Sequence, residues 1–584
     1  MPERDPTCIG RVRHVLGATI TVALDSELAG VAPIYRGRLQ PVGQIGSLVR
    51  LPQGPVDLIA TVSLLGIAEL GGPVAPADVV QHDERWLQVQ LLGQIDRATG
   101  RFQRGVGCYP GLDDPVHFAT PDLLKSVFPP PDNNYVRIGS LAAAEEVPVS
   151  LEASRFVGRH SAIVGSTGSG KTSAVASILQ NFVSGGWQAS NIVVVDPHGE
   201  YASAFEDWAS VRSVLSPGAD QLRVPYWTLP AAEIARIFLG TYGNATFANR
   251  FAELVGNARR EFVSAENWLT LDPSGITTDT PVPFNLKQIW HTLDYENRET
   301  RANKDDPATV CETDPGDAEA LRPAQFQPYN PGGQLPSKGP YYGTYGTNPN
   351  LLRLGLLDPQ LRFFQEPACN PNGLVDPLIE VMQEWLGKEK PISVLDFSGV
   401  SADAADVAIG VVLNLLFEVS IRGKPDGPGI GRSSPVLVVL EEAHRYLGDS
   451  ASPLTRNSVN RIAREGRKYG IGLLLVTQRP TELPKTALSQ CGTIIALRLS
   501  NSEDQGTIKA SLPDAIAGLA AVLPSLRTHE AIISGEAVIL PARACLDNPN
   551  PWPRAEDPSL ESWRMLPSLP DVGVALTEWR GTYE

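Results

Sequence analysis

An α/β fold with a parallel sheet, preceded by a small all-β unit, is what the 584 residues of this chain predict. Three observations lead there. Beyond about residue 135, near-continuous apolar runs of strand length alternate with helix-length segments, the pattern of strands covered on both faces. Before residue 130 the apolar runs are short, closely spaced and separated by turn residues, which predicts a small barrel or sandwich. One strand-to-helix junction also carries a glycine-rich loop of fixed spacing. A chain of this length is too long for one compact core, so several domains are expected.

In chain order, the β-rich part (residues 1–130) holds Ile9-Gly10-Arg11-Val12, Thr19-Ile20-Thr21-Val22-Ala23-Leu24, Ser47-Leu48-Val49-Arg50-Leu51 and Trp86-Leu87-Gln88-Val89-Gln90-Leu91-Leu92-Gly93. A proline-rich linker follows at Phe128-Pro129-Pro130-Pro131-Asp132-Asn133-Asn134. The α/β part spans about residues 131–540, with buried strands predicted at Ser161-Ala162-Ile163-Val164, Ile192-Val193-Val194-Val195, Pro391-Ile392-Ser393-Val394-Leu395, Val436-Leu437-Val438-Val439-Leu440 and Ile471-Gly472-Leu473-Leu474-Leu475-Val476. A helical and irregular insertion interrupts it at about 226–385. Within the insertion, Ile234, Ile237, Phe238, Phe247, Phe251, Leu254 and Val255 carry helical spacing. Residues 299–350 are rich in Pro, Gly, Asp and Asn, which predicts a long surface excursion. From Pro541 the chain is Pro-rich and reads as an extended tail over 541–584, either a free terminus or a strap on a neighbouring subunit.

Composition narrows the class. Hydrophobic content of 42% with 20% charged residues describes a soluble globular chain. The apolar run from Ile409 to Ile421 contains Asn414 and Glu418 and falls short of the ~20 residues that span a bilayer. Met1-Pro2-Glu3-Arg4-Asp5-Pro6 has no apolar leader segment. The six cysteines lack C-x-x-C or zinc spacing, so reduced thiols and a cytoplasmic location are expected. A net charge of −16 argues against coating nucleic acid with the whole exterior, but is compatible with a basic pore inside an acidic shell.

The loop Gly165-Ser166-Thr167-Gly168-Ser169-Gly170-Lys171-Thr172 reads G-x-x-x-x-G-K-T between a predicted strand and a helix that continues with Ser173. Its glycines let backbone wrap a phosphate, and the N–H groups at the helix start point at the anion. Lys171 is then placed for the β- and γ-phosphates and the Thr172 hydroxyl for Mg²⁺, so ATP and Mg²⁺ are the expected cofactors.

A second apolar strand ends in Glu441-Glu442-Ala443-His444, which puts two carboxylates at the strand edge where open α/β sheets bind ligands. Glu441 is placed to hold the metal through water, and Glu442 to polarise the attacking water. Gln478, after the strand at 471–476, can hydrogen-bond a γ-phosphate. In Asp196-Pro197-His198-Gly199-Glu200-Tyr201, Asp196 or Glu200 binds metal or water, or caps the following segment. Arg461, Arg464 and Lys468 share a helical face beside Arg467, as a solvated face or as an arginine finger for a neighbour's nucleotide. Arg159-His160, just before the loop strand, reads as a second cation near the phosphates.

Together, Arg159 to Thr172, Asp196 to Tyr201, Glu441 to His444, Arg464-Glu465-Gly466-Arg467-Lys468 and Thr477-Gln478-Arg479-Pro480 resemble the HerA family of hexameric ATPases, within the HerA/FtsK group of translocases. The resemblance implies a RecA-like core with a helical insertion, an N-terminal small β-barrel, and a homo-hexamer passing double-stranded DNA through a ring pore. It implies Arg467 acting in trans as the finger, Arg159 contacting the nucleotide site and Gln478 as sensor. It also implies a separate nuclease (NurA-like) in DNA end processing, or a separate anti-phage effector (a nuclease or a Sir2-type NAD hydrolase), docked on the barrel face. An ATP-gated scaffold with little translocation is the alternative within that resemblance. A membrane-bound secretion ATPase fits less well, since no anchor is evident. Glu441 stands where many such ATPases carry Asp.

Overall fold

The computed structural model describes residues 5–579 apart from 26–33, 36–37, 40–43, 68–84, 129, 217, 266–270, 331–334, 366–375, 425–426, 428, 514–515, 555–560 and 565–571. Residue 129 of the expected linker, Cys369 and parts of the expected tail therefore lie outside the described residues.

The N-terminal unit is a closed barrel. Strands β1 (Cys8–Leu16), β2 (Thr19–Leu24), β3 (Leu48–Gln53), β4 (Val56–Ile67), β5 (Arg85–Asp96), β6 (Phe102–Arg104) and β7 (Pro115–Phe118) lie in the order β2-β1-β7-β3-β4-β5-β6, and β2 pairs back onto β5. Closure removes the exposed edges that a short open sheet would leave. Alternation supplies its core: β5 buries every second residue, and Leu87, Val89 and Leu91 meet Val12, Ile20, Val49 and Val62 inside.

The remainder is built on one eleven-stranded sheet. Its strands are β8 (Tyr135–Leu141), β9 (Ala144–Glu152), β10 (Ser161–Val164), β11 (Asn191–Asp196), β12 (Ala209–Ser213), β13 (Ile392–Asp396), β14 (Val436–Leu440), β15 (Ile471–Thr477), β16 (Thr493–Ala496), β17 (Glu530–Gly535) and β18 (Ala542–Leu546). The order is β9-β8-β18-β17-β16-β10-β15-β14-β11-β13-β12, parallel from β16 to β12 and antiparallel in the β9 to β17 wing. Successive residues of one strand enter opposite cores: Val436, Val438 and Leu440 on one face, Leu437 and Val439 on the other. This accounts for the unbroken apolar runs, because a strand covered on both faces has no polar side.

Helix α1 (Lys171–Ser184) follows β10 directly. Between β12 and β13 the chain leaves the sheet as an insertion carrying α2 (Ala231–Leu239), α3 (Ala245–Ala265), α4 (Leu286–Arg298), α5 (Asn348–Leu357) and α6 (Pro377–Trp385). The helical spacing expected from Ile234 to Val255 belongs to two helices, divided after Gly240, whose φ of 71° ends α2 in the left-handed region. The expected surface excursion at 299–350 is packed onto the insertion rather than free of it. Thr300–Arg301 pairs with Ser337–Lys338, Glu312–Asp314 pairs with Gln325–Phe326, and Tyr345 is fully buried beside Phe247 with its hydroxyl donating to Glu296. Strands of two or three residues leave no periodicity, so composition alone hides them.

Beyond the insertion, α7 (Ala402–Arg422), α8 (His444–Leu447) and α9 (Pro453–Tyr469) cover the parallel part of the sheet. Among the described residues α7 is the one helix long and apolar enough to cross a membrane by length and composition, longer than the run from Ile409 suggested; most of it is buried and packs on α9. The expected tail is corrected at its start, since Ala542–Leu546 alternates buried and half-buried residues and forms β18 between β8 and β17.

Gly472, inside β15, is required by close packing: a Cβ there would fall 1.8 Å from the Val157 carbonyl oxygen. Gly472→Ala should destabilise the chain by about 1–3 kcal/mol, the usual range for overpacking, read as a lower urea midpoint at unchanged slope.

Candidate functional site

The parallel strands share one direction, so β10, β11, β14, β15 and β16 all end on the same edge. The phosphate-type loop leaves β10 there. Gly168 and Gly170 have φ of 72° and 93°, and a Cβ on Gly165 would lie 2.5 Å from Ser169 Oγ, so three of its glycines are sterically needed. The loop is fastened from the β16 side, where the Ser166 N–H and Oγ both donate to the Arg498 carbonyl (2.8 and 2.9 Å) and the Arg498 guanidinium donates to the Gly168 carbonyl at 3.1 Å. On the β15 side Thr167 Oγ1 donates to Gln478 Oε1 at 2.8 Å, bringing Gln478 to the loop rim.

Lys171 and Thr172 open α1. The Lys171 ammonium makes one long bond, to the Ser166 carbonyl at 3.3 Å, and burial lowers its pKa against the raising influence of Glu441, Glu442 and Glu200. Thr172 Oγ1 donates to Glu200 Oε2 at 2.9 Å. Ser169 Oγ is buried with no hydrogen-bond partner, and Ser173 lies in the first turn. The cradle therefore presents glycines, an under-used ammonium and an orphaned hydroxyl, which is the donor set a triphosphate takes up.

β14 delivers the two carboxylates. Glu441 is buried, accepting from the Tyr201 hydroxyl and from the Glu442 N–H (3.3 Å). Burial pushes its carboxyl from 4.5 up to about 7; the Tyr201 hydrogen bond opposes the rise and the neighbouring Glu442 adds to it. Glu442 has a φ of 50°, a left-handed conformation uncommon outside glycine. Burial raises its pKa, but the His444 contact, with Lys171 and His198, brings it below its ordinary value. His444 Nδ1 lies 3.2 Å from Glu442 Oε2 and 3.1 Å from Thr477 Oγ1. Glu442 Oε2 is itself buried and accepts no well-formed hydrogen bond. An ionised carboxylate steadied by His444 and set beside the cradle is equipped to orient a water and take its proton.

Some sequence expectations are redirected. The Asp196 carboxylate accepts from the N–H groups of His198 (3.1 Å), Gly199 (2.8 Å) and Tyr201 (2.9 Å), so of the two roles expected for it the structure gives it the cap of its loop. Arg159 and His160 precede β10, and so lie on the opposite edge of the sheet from the loop that follows it. A seven-residue strand such as β15 separates the two edges by roughly 20 Å. Arg159 pairs with Glu536, and His160 is buried, accepts the Leu473 N–H at 3.0 Å and is pushed by burial down to about 4. Neither reaches the phosphate cradle of its own chain.

The C-terminal end of α9 stands on that same far edge. Arg461 is used within the chain, bonded to Glu418 at 2.9 Å over the Phe417 ring. Arg464, Arg467 and Lys468 are exposed, and among the described residues their side chains have no hydrogen-bond or ion-pair partner.

Sequence reasoning gave no role to Tyr201, His444 or Arg498. The first two stand in motifs already marked. Arg498 follows β16 as Gln478 follows β15, and the shared strand edge is its signal.

These groups define a P-loop nucleoside-triphosphate hydrolase, with a RecA-like parallel sheet, an N-terminal barrel and a helical insertion. Family models described as "Helicase HerA, central domain" and "Helicase HerA-like C-terminal" match residues 136–319 and 392–539. The chain belongs to the HerA family. It is 26% identical over 494 residues to the DNA double-strand break repair helicase HerA of Sulfolobus acidocaldarius, covering 84% of each chain. It is 26% identical over 480 residues to a probable helicase of Methanocaldococcus jannaschii, covering 82% of each. Among solved structures, the plasmid coupling protein TrwB in complex with ADP and Mg²⁺ matches at 13% identity and TM-score 0.42, over 74% of this chain and 92% of that one.

Glu441 supplies a direct test. Between its ordinary value of 4.5 and about 7 the folded chain holds a proton that the unfolded chain has lost, so nucleotide-free stability should fall as pH rises through that window. Glu441→Gln should flatten this slope and raise the melting temperature at pH 8, measured by thermal unfolding without nucleotide or metal.

Proposed function

We propose that the chain is the subunit of a six-membered ring that hydrolyses ATP with Mg²⁺ and drives double-stranded DNA through its centre. The observation that carries this reading is the separation of one catalytic set onto two sheet edges. Lys171, Thr172, Glu200, Glu441, Glu442 and Gln478 gather at one edge, while the free cations Arg464 and Arg467 stand at the other. In a head-to-tail ring one subunit's far edge faces its neighbour's cradle, and Arg467 then meets the γ-phosphoryl of the neighbour's nucleotide. Arg159 on the same edge is assigned the same direction of action.

The residues fit the cofactor. Among the described residues no cluster of three or more His, Cys, Asp or Glu is set to hold a metal alone, as suits an ion bound largely by phosphates and water. The Thr172 hydroxyl, Glu200 and Glu441 would hold Mg²⁺, which would supply neutralisation of phosphate charge. Lys171 binds the β- and γ-oxygens. Glu442 orients the attacking water and accepts its proton, with His444 fixing the carboxylate. Gln478 reads the γ-phosphate and relays its loss to the loop through Thr167.

The relatives named as DNA double-strand break repair helicases support DNA as the substrate. A separate nuclease or defence effector on the barrel face completes the proposed assembly. A ring that gates such an effector without moving along DNA is separated by the same experiment, displacement of a third strand from linear duplex DNA. ATP-dependent displacement by the wild-type chain and none by Lys171→Ala is expected; ATP turnover without displacement would favour the gating ring.

Three substitutions sort the chemistry. Lys171→Ala should lose ATP binding, whereas Glu442→Gln should bind ATP normally with turnover reduced roughly 10²–10⁴-fold. Arg467→Ala should lower kcat by roughly 10³-fold or more, with partial recovery when mixed with Glu442→Gln subunits that donate an intact arginine. Titration of the mixing ratio in a steady-state ATPase assay checks this, and no recovery at any ratio would contradict action in trans.

A further inference from the structure

A residue pair beside the phosphate cradle has no part in the chemistry above. His529, just before β17, is held at a φ of 63°; its N–H donates to the Ser169 carbonyl at 3.3 Å and its carbonyl accepts the Leu546 N–H at 2.8 Å. Its ring lies against the last glycine of the loop, since a Cβ on Gly170 would fall 2.4 Å from His529 Cδ2. Beyond β18 the chain returns along α1 as Asn548-Pro549-Asn550-Pro551-Trp552-Pro553. The indole of Trp552 comes to rest 5.5 Å from the His529 ring, centroid to centroid, at an interplanar angle of 36°.

The backbone of this segment is pinned on both sides of the indole. The buried Gln180 side chain accepts the Asn550 N–H (2.8 Å) and donates to the Pro551 carbonyl (2.9 Å). Ser203 Oγ donates to the Trp552 carbonyl at 3.0 Å, and the Arg554 N–H to the carbonyl of Glu200 at 2.8 Å. Three prolines stiffen the segment further. Yet Trp552 remains 47% exposed. A large aromatic ring on a pinned backbone, against the His529 ring and left open, is preorganised for a flat partner, because part of the entropy of fixing it is already spent.

We propose that Trp552, backed by His529, is the shelf on which the purine base of the nucleotide stacks; this rests on the nucleotide reading of the cradle. A triphosphate seated on the 165–172 loop leaves its sugar and base projecting from the start of α1, the side on which the pair stands. Glu200 then links the two ends of the ligand: its side chain receives the Thr172 hydroxyl, and its carbonyl holds the segment that carries the indole.

The test compares equilibrium binding of ATP, GTP and inorganic tripolyphosphate, each with Mg²⁺, to the full chain in a Glu442→Gln background that blocks turnover. Trp552→Ala should weaken ATP and GTP about 10-fold, within the range that loss of base–aromatic stacking gives, and leave tripolyphosphate unchanged. Trp552→Phe should restore most of the loss. Unchanged ATP affinity would overturn the shelf, as would equal weakening of ATP and tripolyphosphate, which would make Trp552 a mere brace for the loop. Loss of ring mass at unchanged ATP affinity would assign the indole to a neighbouring subunit and also overturn it. If the chain with Trp552 intact bound neither ATP nor tripolyphosphate, the nucleotide reading itself would fall.

Discussion

The carboxylates of Glu441 and Glu442 sit with the ammonium of Lys171 where none of the three is fully hydrated, and much of the fold serves to hold them there. Burial raises the Glu441 pKa and lowers that of Lys171, so each charged form depends on the others. The Tyr201 hydroxyl and His444 supply the remaining support, one from the loop after β11 and one from α8. Buried charge of this kind is costly unless a ligand or partner completes it. The orphaned Ser169 Oγ marks where completion is missing in the chain by itself.

A parallel sheet buried on both faces leaves only its two edges for polar chemistry, and this chain uses both. The C-terminal strand edge receives the loop, the acids and Gln478; the N-terminal edge receives Arg159 and the end of α9. Because helices return the chain from one edge to the other, residues a few positions apart in sequence can lie a strand's length apart in space. That geometry gives a physical reason for the proposed ring: each chain carries one cradle without a finger of its own and, on its other side, cations suited to a neighbour's. The antiparallel wing adds the third component, bringing His529 and the segment around Trp552 to the open side of α1.

The parallel strands and the cradle were legible in the sequence because their signals are local and redundant. A loop of fixed spacing, apolar strands ending in acids, and helix-length segments all point the same way. What was not legible depends on pairing between distant segments. β12, with Arg212 and two serines among five residues, lacks the apolar run of a central strand because it is the edge strand of the sheet. β18 was concealed by the prolines on both sides of it, and the short ladders of the insertion by their turn residues. Arg159 and His160 illustrate a different limit: nearness to the loop in sequence was read as nearness in space within one chain, whereas β10 carries the chain from one strand end to the other between them. For Asp196 the sequence left metal binding and capping open, because a capping carboxylate and a ligating one look alike without the amides that surround it.

The most direct test of the account is ATPase turnover per subunit as a function of chain concentration, with the mass of the assemblies measured in the same samples. If the cradle is completed by a neighbour's arginine, turnover per subunit should rise from near zero in isolated chains to a plateau as the six-membered ring forms. Full turnover by the isolated subunit would contradict it, and would mean that Lys171, Glu442 and Arg498 suffice within one chain.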